Sequence, residues 1–261
     1  MTTTFSPRTT RTLGIAEARS GGHIPFSRLF RVEWLKATDT RATRWLLALV
    51  GLSIVGLMLV PVLVPTSFDQ TYTSYLQVAS IPQVILLPLM AMLMFTGEWG
   101  QRSIMTTFTQ EPRRIRIVNA KLAVSMVLGS SAALFGGLVT AAGLGLAAAS
   151  GRALEANLSV GHIVGYLLYL LLNVLGGIAF GVLTQNSTAS IAAFFALNPA
   201  FALLGTLSPL VNEWLDTETV WNWVLDNRWG GHVPQILVSI LLWVAIPIAA
   251  GIARTLRRDV G

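Results

Sequence analysis

Charge-free stretches dominate the pattern of this chain. Residues 45–68, 70–97, 122–151, 156–212 and 229–253 contain no Asp, Glu, Lys or Arg, giving runs of 24, 28, 30, 57 and 25 residues. About 20 apolar residues in a helix cross roughly 30 Å of hydrocarbon. Four of the runs suit one crossing each, and the longest suits two. The polar tetrad Gln185-Asn186-Ser187-Thr188 marks where that longest run turns. The pattern predicts helical spans at Trp45–Val64, Ala79–Gly97, Leu122–Ala149, Leu158–Leu183, Ala189–Leu210 and Pro234–Ala253. The runs are continuous, whereas barrel strands alternate over about 10 residues. The expected fold class is therefore an all-α membrane protein with six transmembrane helices spread over residues 45–253.

The stretches between the runs have patterns of their own. In residues 24–44, Phe26, Leu29, Phe30 and Trp34 fall on one arc at helical spacing, with Arg28 and Arg31 opposite. This predicts an N-terminal interfacial helix. Glu33 falls on its apolar side. Glu33 and Lys36 stand three residues apart, as a surface ion pair or as part of a partner contact. In the segment 98–121, Ile104 and Phe108 are i,i+4 neighbours and Pro112 ends the pattern, so a short helix is expected. Glu98 and Arg102 have the spacing of an i,i+4 pair. Arg113, Arg114, Arg116 and Lys121 lead into the next run, either as an anchor to anionic lipid or as a lever gripped by another protein. Residues 211–233 carry Trp214, Trp221, Trp223 and Trp229. They predict one or two short interfacial or re-entrant helices on the outer face, since tryptophan is favoured at headgroup depth.

Composition agrees with lipid as the main solvent. Hydrophobic residues make up 53% of the 261 residues and charged residues 11%, with a mean hydropathy of +0.64. A soluble domain carries about 25% charged residues. The net charge of +6 sits in no soluble basic face, which excludes a nucleic-acid partner. It reads instead as topology. Sixteen of the eighteen Lys and Arg residues lie in residues 1–44, 98–121 and 254–261, leaving Arg152 and Arg228 for the other side. The positive-inside rule then puts both termini in the cytoplasm, in a multi-pass protein of the plasma membrane. Residues 1–23 lack an apolar core of the signal-peptide kind and are expected to form a disordered tail. Residues 254–261 form a second cytoplasmic tail.

Several chemistries are excluded. The absence of cysteine removes disulfides, thiolate metal sites and cysteine nucleophiles. Lys36 and Lys121 are the only lysines, and neither follows the glycines of a phosphate loop. No H-E-x-x-H pattern is present. No charged residue falls inside a predicted span, which argues against a proton-coupled carrier and an intramembrane acid–base enzyme. Gln83, Asn173 and Asn198 are the uncharged polar residues that either line a substrate path or bond a neighbouring helix. Gly177 and Gly181, and the stripe Gly137, Ala141 and Gly145, are spaced for close helix contact. Pro61, Pro88, Pro199 and Pro247 are expected to kink their helices.

The order of these parts resembles the permease subunit of type-2 ABC transporters, mainly exporters. The resemblance covers most of the chain after residue 24. The best local match is Glu98 closing the second span, Ser103, Pro112, Arg113 or Arg114, and Lys121. Arg102-Ser103 stands where many relatives carry Gly-Thr. The resemblance implies a cytoplasmic coupling helix between spans two and three, and short outer helices between spans five and six. On that basis Glu98, Arg102, Ser103, Ile104, Phe108, Pro112, Arg113 and Arg114 are the ATPase-coupling residues. This chain would be non-catalytic and bind no cofactor or metal. ATP and Mg would be used by a separate cytoplasmic ATPase subunit, and a second permease subunit would complete the path. A membrane scaffold without a path and an ion-coupled carrier are the competing readings.

Overall fold

A computed structural model describes residues 24–100, 114–153, 155 and 159–257. Helix α1 (Phe26–Asp39) leads through Thr40 into α2 (Arg41–Leu63). Then follow α3 (Tyr72–Gly100), α4 (Arg114–Ala149), α5 (Val160–Thr184), α6 (Ser187–Leu207), α7 (Pro209–Trp214) and α8 (Thr217–Leu225). The last helical stretch is α9 (Val233–Ile240), a π turn (Leu241–Ala245) and α10 (Ile246–Arg257). Among the described residues there is no strand beyond the single bridge Thr71–Glu155. Among the described residues six helices are long and apolar enough to cross a membrane: Thr43–Leu63, Tyr72–Glu98, Ile115–Ala149, Val160–Thr184, Ser187–Gly205 and Val233–Leu256. This is the architecture of an all-α, multi-pass membrane protein.

The helix ends follow from local chemistry. Thr40 is extended and caps α2, its hydroxyl accepting from the Thr43 N–H at 3.2 Å. The expected turn in the longest run is formed by Gln185 and Asn186. Gln185 adopts a left-handed conformation (φ 55°) that closes α5, and the Asn186 side chain caps α6 by accepting from the Ala189 N–H. The fifth span ends earlier than the pattern predicts. Ser208 is extended because the residue before a proline disfavours the helical region. Pro209 then opens α7 at a position where its missing N–H costs nothing.

Two other boundaries move the opposite way. The predicted spans two and three start at Ala79 and Leu122, but α3 begins at Tyr72, within its charge-free run, and the third span at Ile115. Lys121 therefore lies within a membrane-crossing helix, about 9 Å along it from Ile115 at 1.5 Å per residue. Arg44, Glu98, Arg116 and Arg254 also fall within the candidate spans, each near a span end, so the expectation that spans carry no charge does not hold.

α3 and α5 form the hub of the bundle. A Cβ at Gly177 would lie 2.6 Å from the Pro88 carbonyl oxygen, and one at Gly181 would lie 3.3 Å from the Met92 Cα. The Gly177/Gly181 pair thus lets the two backbones touch. The stripe Gly137, Ala141 and Gly145 does not play that part. A Cβ at Gly145 would meet nothing within 4 Å, and Ala141 is exposed. The contact face of α4 is Gly136, Thr140 and Gly143, one helical step round. In the middle of the last span, Pro247 is preceded by the π turn, in which Ile246 N–H bonds the Leu241 carbonyl. The wider turn absorbs the proline.

Trp221 also departs from expectation. It is buried at 3% exposure and donates from Nε1 to the Ser239 hydroxyl at 3.0 Å. It is a core residue rather than a headgroup anchor, because α8 folds back onto α5, where a Cβ at Gly165 would run into the Val224 carbonyl oxygen. Arg152 has a structural task as well. Its guanidinium donates to the Val62 carbonyl at 2.7 Å, placing a cation on the C-terminal carbonyls of α2.

Candidate functional site: a buried ring of four charges

The first candidate residue, Glu98, stands in the last turns of α3. Glu33 and Lys36 lie one turn apart on α1, and Lys121 lies two turns into α4. These four side chains close a ring. Lys36 Nζ donates to Glu33 Oε1 at 2.8 Å and to Glu98 Oε1 at 2.7 Å. Lys121 Nζ donates to Glu33 Oε2 at 2.7 Å and to Glu98 Oε1 at 3.0 Å. Cations and anions alternate, so the ring is neutral. A third bond from Lys121, to the Met94 carbonyl at 3.3 Å, uses the last of its three donors.

Burial is uneven around the ring. The side chains of Glu33, Lys121 and Glu98 are 5%, 6% and 13% exposed, whereas that of Lys36 is 42% exposed. Burial alone opposes a charged Lys36, but its hydrogen bonds to Glu33 and Glu98 outweigh this and raise its pKa above the ordinary 10.5. Taking charges out of water costs several kcal/mol per ion unless each is fully paired. Here the pairing is reciprocal across three helices. α1, the end of α3 and the start of α4 are therefore held together by ionic bonds at one end of the bundle.

The same end carries further ties. Thr96 on α3 shares a 2.7 Å hydrogen bond with Ser187 at the start of α6. Gln185 donates to Thr255 at 2.8 Å, and Arg254 donates to the Leu183 carbonyl at 3.0 Å. Arg116 donates to the Ile24 carbonyl, fixing the entry to α1.

The remaining sequence candidates divide into two groups. Arg102, Ser103, Ile104, Phe108, Pro112 and Arg113 lie outside the described residues, so the Glu98–Arg102 pair does too. Arg114 is the first residue of α4. Of the polar residues, Gln83 is fully buried and donates to the Ala79 carbonyl at 2.9 Å and to the Tyr166 hydroxyl of α5. Asn173 donates to the Tyr169 carbonyl of its own helix at 2.9 Å. Asn198 accepts from the Thr217 hydroxyl of α8 at 2.9 Å. Each bonds a different partner.

Sequence reasoning treated Glu33 and Lys36 as a local pair and Lys121 as a flank. The signal that points to the ring is Glu33 on the apolar face of α1. An acid there needs a buried cation, and Lys121 supplies it. The comparison with protein-family models finds no match, and the comparison with curated proteins finds none.

Proposed function

We propose that this chain is the membrane-spanning permease subunit of an ATP-binding cassette transporter of the exporter kind, with ATP hydrolysed by a separate cytoplasmic subunit. The observation that supports this reading best is the ring. Segment 101–113 joins α3 to α4, and the ring clamps those two helix ends to α1 immediately beside it. A push on that segment from an ATPase would not be lost in bending the helix ends. It would move α1, α3 and α4 together. In this reading nucleotide would bias the position of the three clamped helices as one body.

In this reading the ring end faces the cytoplasm, in line with the basic residues concentrated there. α1 lies at headgroup depth as an interfacial helix, residues 98–121 contain the coupling helix, and α7 and α8 sit on the outer face of the plasma membrane. A second permease subunit, identical or related, completes the path.

The test is co-expression with a phosphate-loop ATPase encoded beside this chain. A stable complex whose ATP turnover drives vesicle transport supports the proposal. Transport driven by an ion gradient without ATP, or a protein that assembles with no ATPase, would overturn it.

A further inference from the structure

Beside the ring lies a cleft of about 500 Å³, lined by both acids and both lysines of the ring, by Thr40 and Thr43, and by an apolar wall including Leu46, Met90, Leu93 and Met94. Its depth in the membrane follows from the elements that form it. Thr43 begins the first span and Glu98 ends the second, so the cleft opens at the level where hydrocarbon gives way to headgroups. We propose that this cleft is a binding site for a single phospholipid whose headgroup carries a primary ammonium, of the phosphatidylethanolamine type.

Three observations select that chemistry. The first is the ring's neutrality. Two acids and two lysines on the cleft wall match a zwitterion rather than a net anion or cation. The second is Glu98 Oε2. Both lysines bond Glu98 through Oε1, and Oε2 is buried with no hydrogen-bond partner among the described residues. A buried carboxylate oxygen without a donor is costly. A donor N–H bound in the cleft beside Glu98 would supply the bond this carboxylate lacks. A primary ammonium brings three such donors, whereas a quaternary choline brings none.

The third is the provision for the phosphate. Lys36 uses two of its three donors within the ring and is the ring member most open to solvent. Thr40 and Thr43 share one hydrogen bond between their hydroxyls, which leaves the second hydroxyl hydrogen for an anion. Thr40 also caps the N-terminus of α2, where a negative group is favoured. Leu93, 40% exposed, continues the apolar wall toward the hydrocarbon and gives the acyl chain its first contacts.

Gly97 provides a clean perturbation. It lines the cleft, and a Cβ there would meet nothing within 4 Å. Gly97→Leu therefore puts a side chain into the cleft from a position where its first carbon is free of contact. The experiment is native mass spectrometry of the purified full chain, titrated with phosphatidylethanolamine, phosphatidylcholine and phosphatidylglycerol of identical acyl chains. The expected result is one tightly held phosphatidylethanolamine, with phosphatidylcholine at least about tenfold weaker for loss of a charge-assisted bond. Gly97→Leu should lose that lipid while melting as the parent does in lipid-free detergent. Glu98→Gln should erase the preference between the two zwitterionic lipids. Equal retention of phosphatidylcholine, a preference for phosphatidylglycerol, or undiminished lipid on Gly97→Leu would each overturn the assignment.

Discussion

Lys121→Met is the most informative single change to the ring. It removes a 6% exposed ammonium and leaves Glu33 Oε2 and the Met94 carbonyl without the donor they share. Both carboxylates then depend on Lys36, at 2.8 and 2.7 Å. Breaking a buried ion pair from one side costs about 3–5 kcal/mol. Because Lys36 still faces both acids, the lower end applies, about 3 kcal/mol. Lys36→Met removes a half-exposed cation instead, a loss of about 1 kcal/mol or less. The double change Lys121→Met with Glu33→Leu removes the uncompensated acid and keeps the Lys36–Glu98 bond. Apolar replacement of a whole buried pair is often neutral, so stability should return to near the parent level. Thermal unfolding in mild detergent separates these cases. At about 2–4 °C per kcal/mol for a chain of this size, Lys121→Met should melt roughly 6–12 °C lower than the parent. Lys36→Met should shift by no more than about 4 °C on the same scale. The reasoning fails if Lys121→Met melts within about 2 °C of the parent, or if adding Glu33→Leu lowers stability further.

The other expectations can be checked with standard variants. Reporter fusions at Gly151 and Gly231 should be accessible from outside the cell and a fusion at Gly261 from the cytoplasm; a C-terminal reporter on the outside would contradict the proposed orientation. Gly177→Leu should destabilise by about 1–3 kcal/mol through overpacking, because its Cβ would strike the Pro88 backbone, whereas Gly145→Leu should melt like the parent; equal melts for the two would refute the hub contact. Phe108→Ala should lower the amount of copurified ATPase at matched expression, and unchanged assembly would make segment 98–114 a lipid anchor only. The raised pKa of Lys36 means that its stabilisation is complete below the ordinary lysine value and is lost as pH climbs through the raised one. The melting difference between the parent and Lys36→Gln should therefore hold from pH 7 to 10 and shrink only above 10.5; a difference that disappears near neutrality would sink this account.

Much of the bundle was legible because lipid imposes one simple rule: uncharged runs of sufficient length. The turn at Gln185 and Asn186, and the close approach at Gly177 and Gly181, were legible for the same reason. Each is written in residue types that have few other uses in an apolar helix. Span limits were less legible where charges are paired. Starting the third helix after Lys121 assumed that a lysine must face water, but a lysine with two carboxylates and a carbonyl satisfies all three donors against its neighbours. Trp221 misled for a related reason. Tryptophan suits headgroup depth and a buried hydrogen-bonded site equally, and only the fold-back of α8 supplies Ser239.

The ring itself was half legible. Glu33 on the apolar face of α1 announces a buried acid, and Glu98 closes a span, yet nothing in their spacing says that they share cations. Glu33 and Lys121 are 88 residues apart, and Glu98 and Lys36 are 62 apart, so only the tertiary arrangement brings them together. A helical wheel reports the face a residue occupies and not what stands opposite. The missing constraint is the neutrality of buried charge: every acid placed on an apolar face needs a partner, and here both lysines supply one. Lys36 is the local choice and Lys121 the distant one, and the ring uses both. That redundancy has a mechanical meaning. Lys36 joins α1 to α3, and Lys121 joins α1 and α3 to α4. Loss of the outer lysine weakens the clamp, whereas loss of the inner one removes the ring's tie to α4. The same four residues thus rank the two lysines by what each holds together.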